Sequence, residues 1–287
     1  MIKLPETVEQ TVVNLLRLAN TKLPPDVGWA LEAAAAWETD GRASAQLGAI
    51  LDNVKKAELL GRPMCQDTGI PIFYVKGKIP PSIRQDIASG VRRATAEIPL
   101  RPNTVDPLTR KNPGDNLGEG MPIIHFIPTG DGYTEISVMV KGAGTENMTR
   151  LGMLNPSDGV AGIKKFVADS VLDAGGRPCP PGVVGVGVGG TAEECLSMAK
   201  AATMSSSENP DPVLKEMEED LFVRINGSGL GPMGLGGDAT VLAVRIRKAF
   251  CHTASLPVAV NIGCWATRRA SARITEDNVE YSQEADV

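Results

Sequence analysis

Three of the five cysteines in this 287-residue chain stand alone in stiff turns, far apart in sequence. Cys65 lies in Pro63-Met64-Cys65-Gln66-Asp67-Thr68-Gly69 and Cys179 in Gly176-Arg177-Pro178-Cys179-Pro180-Pro181-Gly182. Cys264 lies in Asn261-Ile262-Gly263-Cys264-Trp265-Ala266. A cysteine kept for packing belongs inside an apolar helix or strand. Cysteines displayed by glycine and proline turns present sulfur to something. Three thiolates are one short of a closed four-ligand site, and a missing ligand leaves a metal open to substrate. Cys195, inside a helical stretch, and Cys251, at a strand end, read instead as buried small hydrophobes.

The chain begins Met1-Ile2-Lys3-Leu4-Pro5-Glu6, with no apolar run behind its lysine, so neither export nor a leader is expected. Five cysteines without export point to a reducing, cytoplasmic setting, with thiols free, metal-bound or catalytic. A formal net charge of −5 with no basic stripe argues against nucleic acid and against anionic membranes. No apolar stretch reaches the roughly 18 residues that a membrane-spanning helix needs. The 31 glycines and 21 prolines gather around the cysteine segments, where backbone must approach something closely.

Val8, Val12, Leu15, Leu16 and Ala19 recur at helical spacing. A second helix is expected from Val27 to about Trp37 with Asp26 as its cap, and a third from about Ala43 to Leu60, closed by Gly61. Together they read as a packing layer. Ile70 to Val75 reads as a strand and Ser82 to Ile98 as a helix. Residues 101–120 form a long polar loop, a length that is commonly functional or disordered. Met121–Pro128 and Tyr133–Val140 read as a hairpin about Thr129-Gly130-Asp131-Gly132, with Ile136, Val138 and Val140 on one face. Further helices are expected over 158–174, from the capping box Thr191-Ala192-Glu193-Glu194 to Met204, and over 211–225. Strands are expected over 183–188, 240–247 and 257–262, and a polar tail from Ala270. This is an α+β (mixed α/β) chain, a helical N-terminal layer with β-sheets flanked by helices. With no linker visible, residues 1–287 are expected as a single domain.

Gly185, Gly187 and Gly190 formally fit a dinucleotide fingerprint ahead of a helix. However, no lysine follows, the glycines alternate within a strand, and Pro178-Cys179-Pro180-Pro181 stands where continuous strand is required. Close backbone packing near Cys179 is the better account. His125, in an apolar run, reads as a core histidine. His252, between Cys251 and Thr253, is a site candidate. Asp67, two residues after Cys65, is either an acid or base beside a metal or the anchor of an Asx-turn.

Cys65-Gln66-Asp67-Thr68-Gly69, Cys179-Pro180-Pro181 and Asn261-Ile262-Gly263-Cys264 resemble the class I fumarases and their relatives, the L-tartrate dehydratases. The order of the glycine segments 141–147, 182–190 and 229–237 and of His252-Thr253-Ala254-Ser255 matches as well. The resemblance covers nearly the whole chain and is closest to the α subunit of the two-subunit form. It implies a [4Fe–4S] cluster held by Cys65, Cys179 and Cys264, whose fourth iron acts as a Lewis acid on a dicarboxylic acid. By the same resemblance Asp67 is the acid or base at the hydroxyl, while Gln66, Arg101, Gly144 and His252 line the substrate pocket. An exposed iron of this kind implies sensitivity to oxygen.

Single-chain class I enzymes carry a further C-terminal domain with the proton-abstracting threonine, whereas 23 residues follow Cys264 here. The resemblance therefore implies a separate β subunit, an α2β2 assembly and an inactive α chain alone. Fumarate hydration to malate is the expected reaction, with tartrate dehydration as the alternative. A non-catalytic cluster scaffold or a nucleotide-binding enzyme is the reading from other classes. Asp67, Gln66 and Arg101 argue against a scaffold, which needs neither an acid nor a carboxylate clamp.

Overall fold

The computed structural model describes residues 7–283. In chain order the elements are α1 (Val8–Thr21), α2 (Pro25–Trp37), α3 (Gly41–Leu60), β1 (Ile70–Gly77), α4 (Ile83–Glu97), β2 (Ile123–Pro128) and β3 (Thr134–Lys141). Then come α5 (Ala143–Glu146), β4 (Arg150–Leu154), α6 (Gly159–Ala174), β5 (Gly182–Val188) and α7 (Ala192–Ala202). The last are α8 (Pro212–Asn226), β6 (Val241–Lys248), β7 (Leu256–Ile262), β8 (Arg268–Ile274) and β9 (Val279–Ser282). This is the mixed α+β architecture expected. Its residues group into two compact units. Among the described residues, one comprises 7–24, 53–142 and 268–283, the other 25–52 and 143–267.

The first unit is a five-stranded sheet, β2-β1-β3-β8-β9, covered on one face by α1 and α4. Alternate residues supply that face: Phe73 pairs with Val138, which pairs with Ala270, and Val75 with Ile136, which pairs with Ala272. All six are buried against Val12, Leu15, Leu16, Ile87 and Val91 of the two helices. Gly90 lets the helices close, since a Cβ there would lie 2.6 Å from that of Val12.

The hairpin expected between β2 and β3 does not form. β1 lies between them, parallel to β2 and antiparallel to β3. Its residues Pro71–Val75 are all buried, so it is a central strand that takes a partner on each edge. The Thr129–Gly132 link instead arches over the end of β1, where the Lys78 N–H donates to the Tyr133 carbonyl (2.8 Å). The tail is not merely polar either. Ala270, Ala272 and Ile274 of β8 face the core, and their alternation is hidden because two of the three are alanines.

The second unit holds the sheet β4-β7-β5-β6, in which β7 runs antiparallel to β4 and β5 while β5 and β6 are parallel. Val184 and Val186 face α6 and α8. The glycines between them face α7: a Cβ on Gly185 would lie 2.1 Å from the Ala199 carbonyl oxygen, and one on Gly187 2.1 Å from that of Cys195. The Val–Gly alternation is thus a two-faced strand with a helix backbone resting on one side.

Several local expectations need correcting. α2 starts at Pro25, so Asp26 lies in its first turn rather than capping it. Thr191 is the N-cap of α7, but its side chain makes no capping bond. β4 is an edge strand that the sequence reading missed, with alternate residues exposed. His125 is half-buried on the edge strand β2, its ring stacked on Tyr74 at 4.8 Å, rather than within the core. Cys251 is exposed, not buried, because β6 stops three residues earlier at Lys248.

Gly187→Ala drives a methyl into the α7 backbone and is expected to destabilise the chain by about 1–3 kcal/mol or more, read as a lowered denaturation midpoint with unchanged slope. Gly130→Ala, where nothing lies within 4 Å of the added Cβ, is the control expected to stay near wild type.

Candidate functional site

In the first unit the chemistry gathers on the turn between α3 and β1. Met64, just before Cys65, is held at both backbone groups: its N–H donates to the Asn20 carbonyl (2.9 Å), and its carbonyl accepts from Asn53 Nδ2 (2.8 Å). Cys65 is half-buried, and its Sγ–H points to Gln66 Oε1 at 3.6 Å. The turn closes at Gly69 (φ +70), where a Cβ would meet the Lys141 backbone at 2.9 Å. Only glycine suits a left-handed residue pressed on another chain segment.

Asp67 anchors the Asx-turn, its Oδ1 accepting from the Gly69 N–H (3.0 Å). The same oxygen accepts from Asn103 Nδ2 (3.2 Å), which also donates to the Gly69 carbonyl (3.1 Å). The two readings of Asp67 are therefore compatible: Oδ1 orders the turn and Oδ2 faces Gly142, whose Cβ would lie 3.0 Å away.

The start of the long loop docks on this turn. Thr68 Oγ1 accepts from the Arg101 N–H (2.8 Å), and the Arg101 carbonyl accepts from Thr68 Oγ1 and from Asn116 Nδ2. Arg101 is thereby fixed by its backbone while its side chain is exposed. Asn103 was missed in the sequence because it is one amide in a polar loop, and nothing in that loop's spacing marks it.

In the second unit the glycine segments converge on Cys179. Cys179 itself has φ +57, and its carbonyl accepts from the Trp265 N–H (3.2 Å), next to Cys264. Gly182 presses on the Cys264 turn, where its Cβ would lie 2.2 Å from the Gly263 carbonyl oxygen. The Met233 N–H donates to the Pro180 carbonyl (2.8 Å), and a Cβ on Gly176 would lie 2.7 Å from the Met233 oxygen. Gly144, in α5, is exposed and comes against the same turn, its Cβ 3.1 Å from the Arg177 oxygen. Cys179, Cys264 and Gly144 thus belong to one construction. The glycine-rich 226–238 loop, which packs on that turn, is tied down by Glu38, whose carboxylate accepts from the N–H groups of Asp40, Asp238 and Ala239. His252 lies in the connection between β6 and β7, exposed, its Nδ1 accepting from the Ala254 N–H (3.1 Å).

None of the five cysteines is in a disulfide. Among the described residues no group of three His, Cys, Asp or Glu side chains converges on a single metal ion. The donors that the turns display are soft thiols, which fit iron–sulfur chemistry. Cys195, by contrast, is fully buried under the β5 backbone with its Sγ–H on the Gly187 carbonyl (3.2 Å), and burial pushes its thiol up to about 11.

A family model described as fumarate hydratase (Fumerase) matches residues 9–273. A putative L(+)-tartrate dehydratase subunit alpha of Methanocaldococcus jannaschii is 48% identical, over 94% of this chain and 98% of that protein. The L(+)-tartrate dehydratase subunit alpha of Escherichia coli is 33% identical, over 96% of this chain and 95% of that protein. A putative fumarate hydratase class I of Geobacillus stearothermophilus is 35% identical over 98% of this chain, which spans 56% of that longer protein. Fold, cysteine turns and these likenesses together define a hydro-lyase. The chain belongs to the fumarate hydratase family.

The thiols are expected to separate under alkylation of the native chain. At pH 8 an iodoacetamide reagent should label the exposed Cys251, while Cys195 stays unlabelled, neutral until pH approaches about 11. Mass mapping of the labelled peptides checks this.

Proposed function

We propose that the chain is the α subunit of a two-subunit iron–sulfur hydro-lyase that adds water to fumarate, reversibly, to give malate. Asp67 carries the reading: a carboxylate two residues from a displayed cysteine, with one oxygen committed to its own turn. Cys65, Cys179 and Cys264 would hold a [4Fe–4S] cluster. When bound, that cluster supplies a Lewis-acidic iron lacking a protein ligand.

The chain's own residues do the rest. Asp67 holds or releases a proton at Oδ2, with Oδ1 fixed so that the carboxylate does not rotate away. Arg101 offers a planar fork of donors to a substrate carboxylate, and its backbone bonds to Thr68 anchor the residue beside the Asp67 turn. Gln66 offers an amide from the exposed side of the same turn. Gly144, with no side chain in the way, would offer its N–H to a carboxylate, and His252 would supply a further polar contact. The second base and further carboxylate contacts would come from a β subunit. The name "subunit alpha" on relatives that this chain spans almost completely supports that partner.

Among the described residues no helix is long and apolar enough to cross a membrane. Tartrate is the second reading, favoured by the names of those same relatives. Malate and tartrate differ by one hydroxyl.

The test is anaerobic reconstitution of iron and sulfide with and without the partner, assayed on fumarate, malate and L-tartrate. Turnover is expected only with the partner, and full activity of this chain alone would overturn the two-subunit reading. Asp67→Asn in the assembled enzyme should lower kcat about 10²–10⁴-fold with iron content unchanged. Wild-type turnover in that variant would remove Asp67 from the chemistry.

A further inference from the structure

Arg268, the first residue of β8, is 3% exposed, and its Nε has no hydrogen-bond partner among the described residues. A buried guanidinium is costly unless opposite charge and acceptors surround it. Its Nη1 donates to Asn20 Oδ1 (3.2 Å), and the Asn20 carbonyl in turn accepts the N–H of Met64, which precedes Cys65. Its Nη2 points the other way. A Cβ on Gly142 would lie 3.8 Å from Nη2 and 3.0 Å from Asp67 Oδ2. Asp67 Oδ2, the carboxylate oxygen away from the Asx-turn, and the buried cation thus both lie within 4 Å of the same point beside Gly142.

We infer that Arg268 is a positioning residue for Asp67, spanning from the base of the Cys65 turn to the Oδ2 side of the carboxylate across Gly142. The inference rests on the reading of Asp67 as the group that handles the substrate proton. Neutral donors, Gly69 N–H and Asn103, hold Oδ1, and Arg268 adds positive charge on the Oδ2 side. Arginine suits the place because its fork reaches Asn20 and the carboxylate side at once, which a lysine ammonium cannot do. Gly142 suits it because any side chain there stands between the two charges. Its φ is ordinary, so alanine at 142 is a wedge without backbone strain.

The test compares Arg268→Met, Arg268→Lys and Gly142→Ala in the assembled, reconstituted enzyme. A displacement of a few tenths of an ångström at the reacting group is expected to lower kcat about tenfold or more in Arg268→Met and Gly142→Ala, with KM within about twofold. Arg268→Lys should fall between wild type and Arg268→Met. Iron per chain should be unchanged throughout. Wild-type kcat in Arg268→Met, or a kcat loss matched by loss of iron, would overturn the inference. A second readout does not depend on turnover: the unfolding midpoints of the full chain with Asp67→Asn, Arg268→Met and both. If Arg268 holds Asp67, the double variant loses less than the two single losses together; independent, additive losses would overturn the inference. A wild-type enzyme inactive on every dicarboxylate would sink the proposed function, while this cycle still reports on the pair.

Discussion

Backbone resting directly on backbone is the constraint behind the Cys179 turn and much of its unit. Gly176 lies against Met233, Gly182 against Gly263, and Gly185 and Gly187 against α7. At each place a single methyl would sit closer than 3 Å to a carbonyl oxygen. Glycine loses the most freedom on folding, so concentrating it is costly unless close approach is required. Here the approach fixes the Cys179 and Cys264 turns to each other through the Trp265 N–H. A cysteine meant to hold part of a cofactor needs such a rigid base, because the thiol itself rotates freely about its own bond.

The first unit solves a related problem with hydrogen bonds. Met64 is clamped by Asn20 and Asn53, Asp67 by Gly69 and Asn103, and Arg101 by Thr68. Each contact is worth about one kcal/mol net on its own, but together they fix the orientation of the Asp67 carboxylate through Oδ1. Preorganisation of this kind is what lets a common carboxylate act as a directed acid or base. The neutral thiol of Cys195, locked under β5, shows the opposite use of the same element.

Much of this was legible in the sequence where one feature dominated its surroundings. The apolar stripe of Val8, Val12, Leu15, Leu16 and Ala19 leaves only a helix, and the turn residues about Cys65, Cys179 and Cys264 leave only display. The fold was less legible where the partner decides. β2 and β3 read as a hairpin because they are neighbours in sequence, yet β1, buried from Pro71 to Val75, claims an edge of each. β8 hid behind Arg268, Arg269 and Arg273, since alanine carries its alternation too weakly. Cys251 looked buried because strand β6 was read as reaching it. Asn103 and Arg268 carried no signal at all: their importance is a matter of what lies opposite them, and that emerges only with the tertiary fold.

The central claim is a division of labour among five thiols: three displayed for a cluster, two not. It is tested most directly by iron and sulfide content after anaerobic reconstitution of five single Cys→Ser variants with the partner present. The account predicts that Cys195→Ser and Cys251→Ser bind iron as wild type does, whereas Cys65→Ser, Cys179→Ser and Cys264→Ser lose it. Full iron content in any of those three, or its loss in Cys251→Ser, would contradict the account.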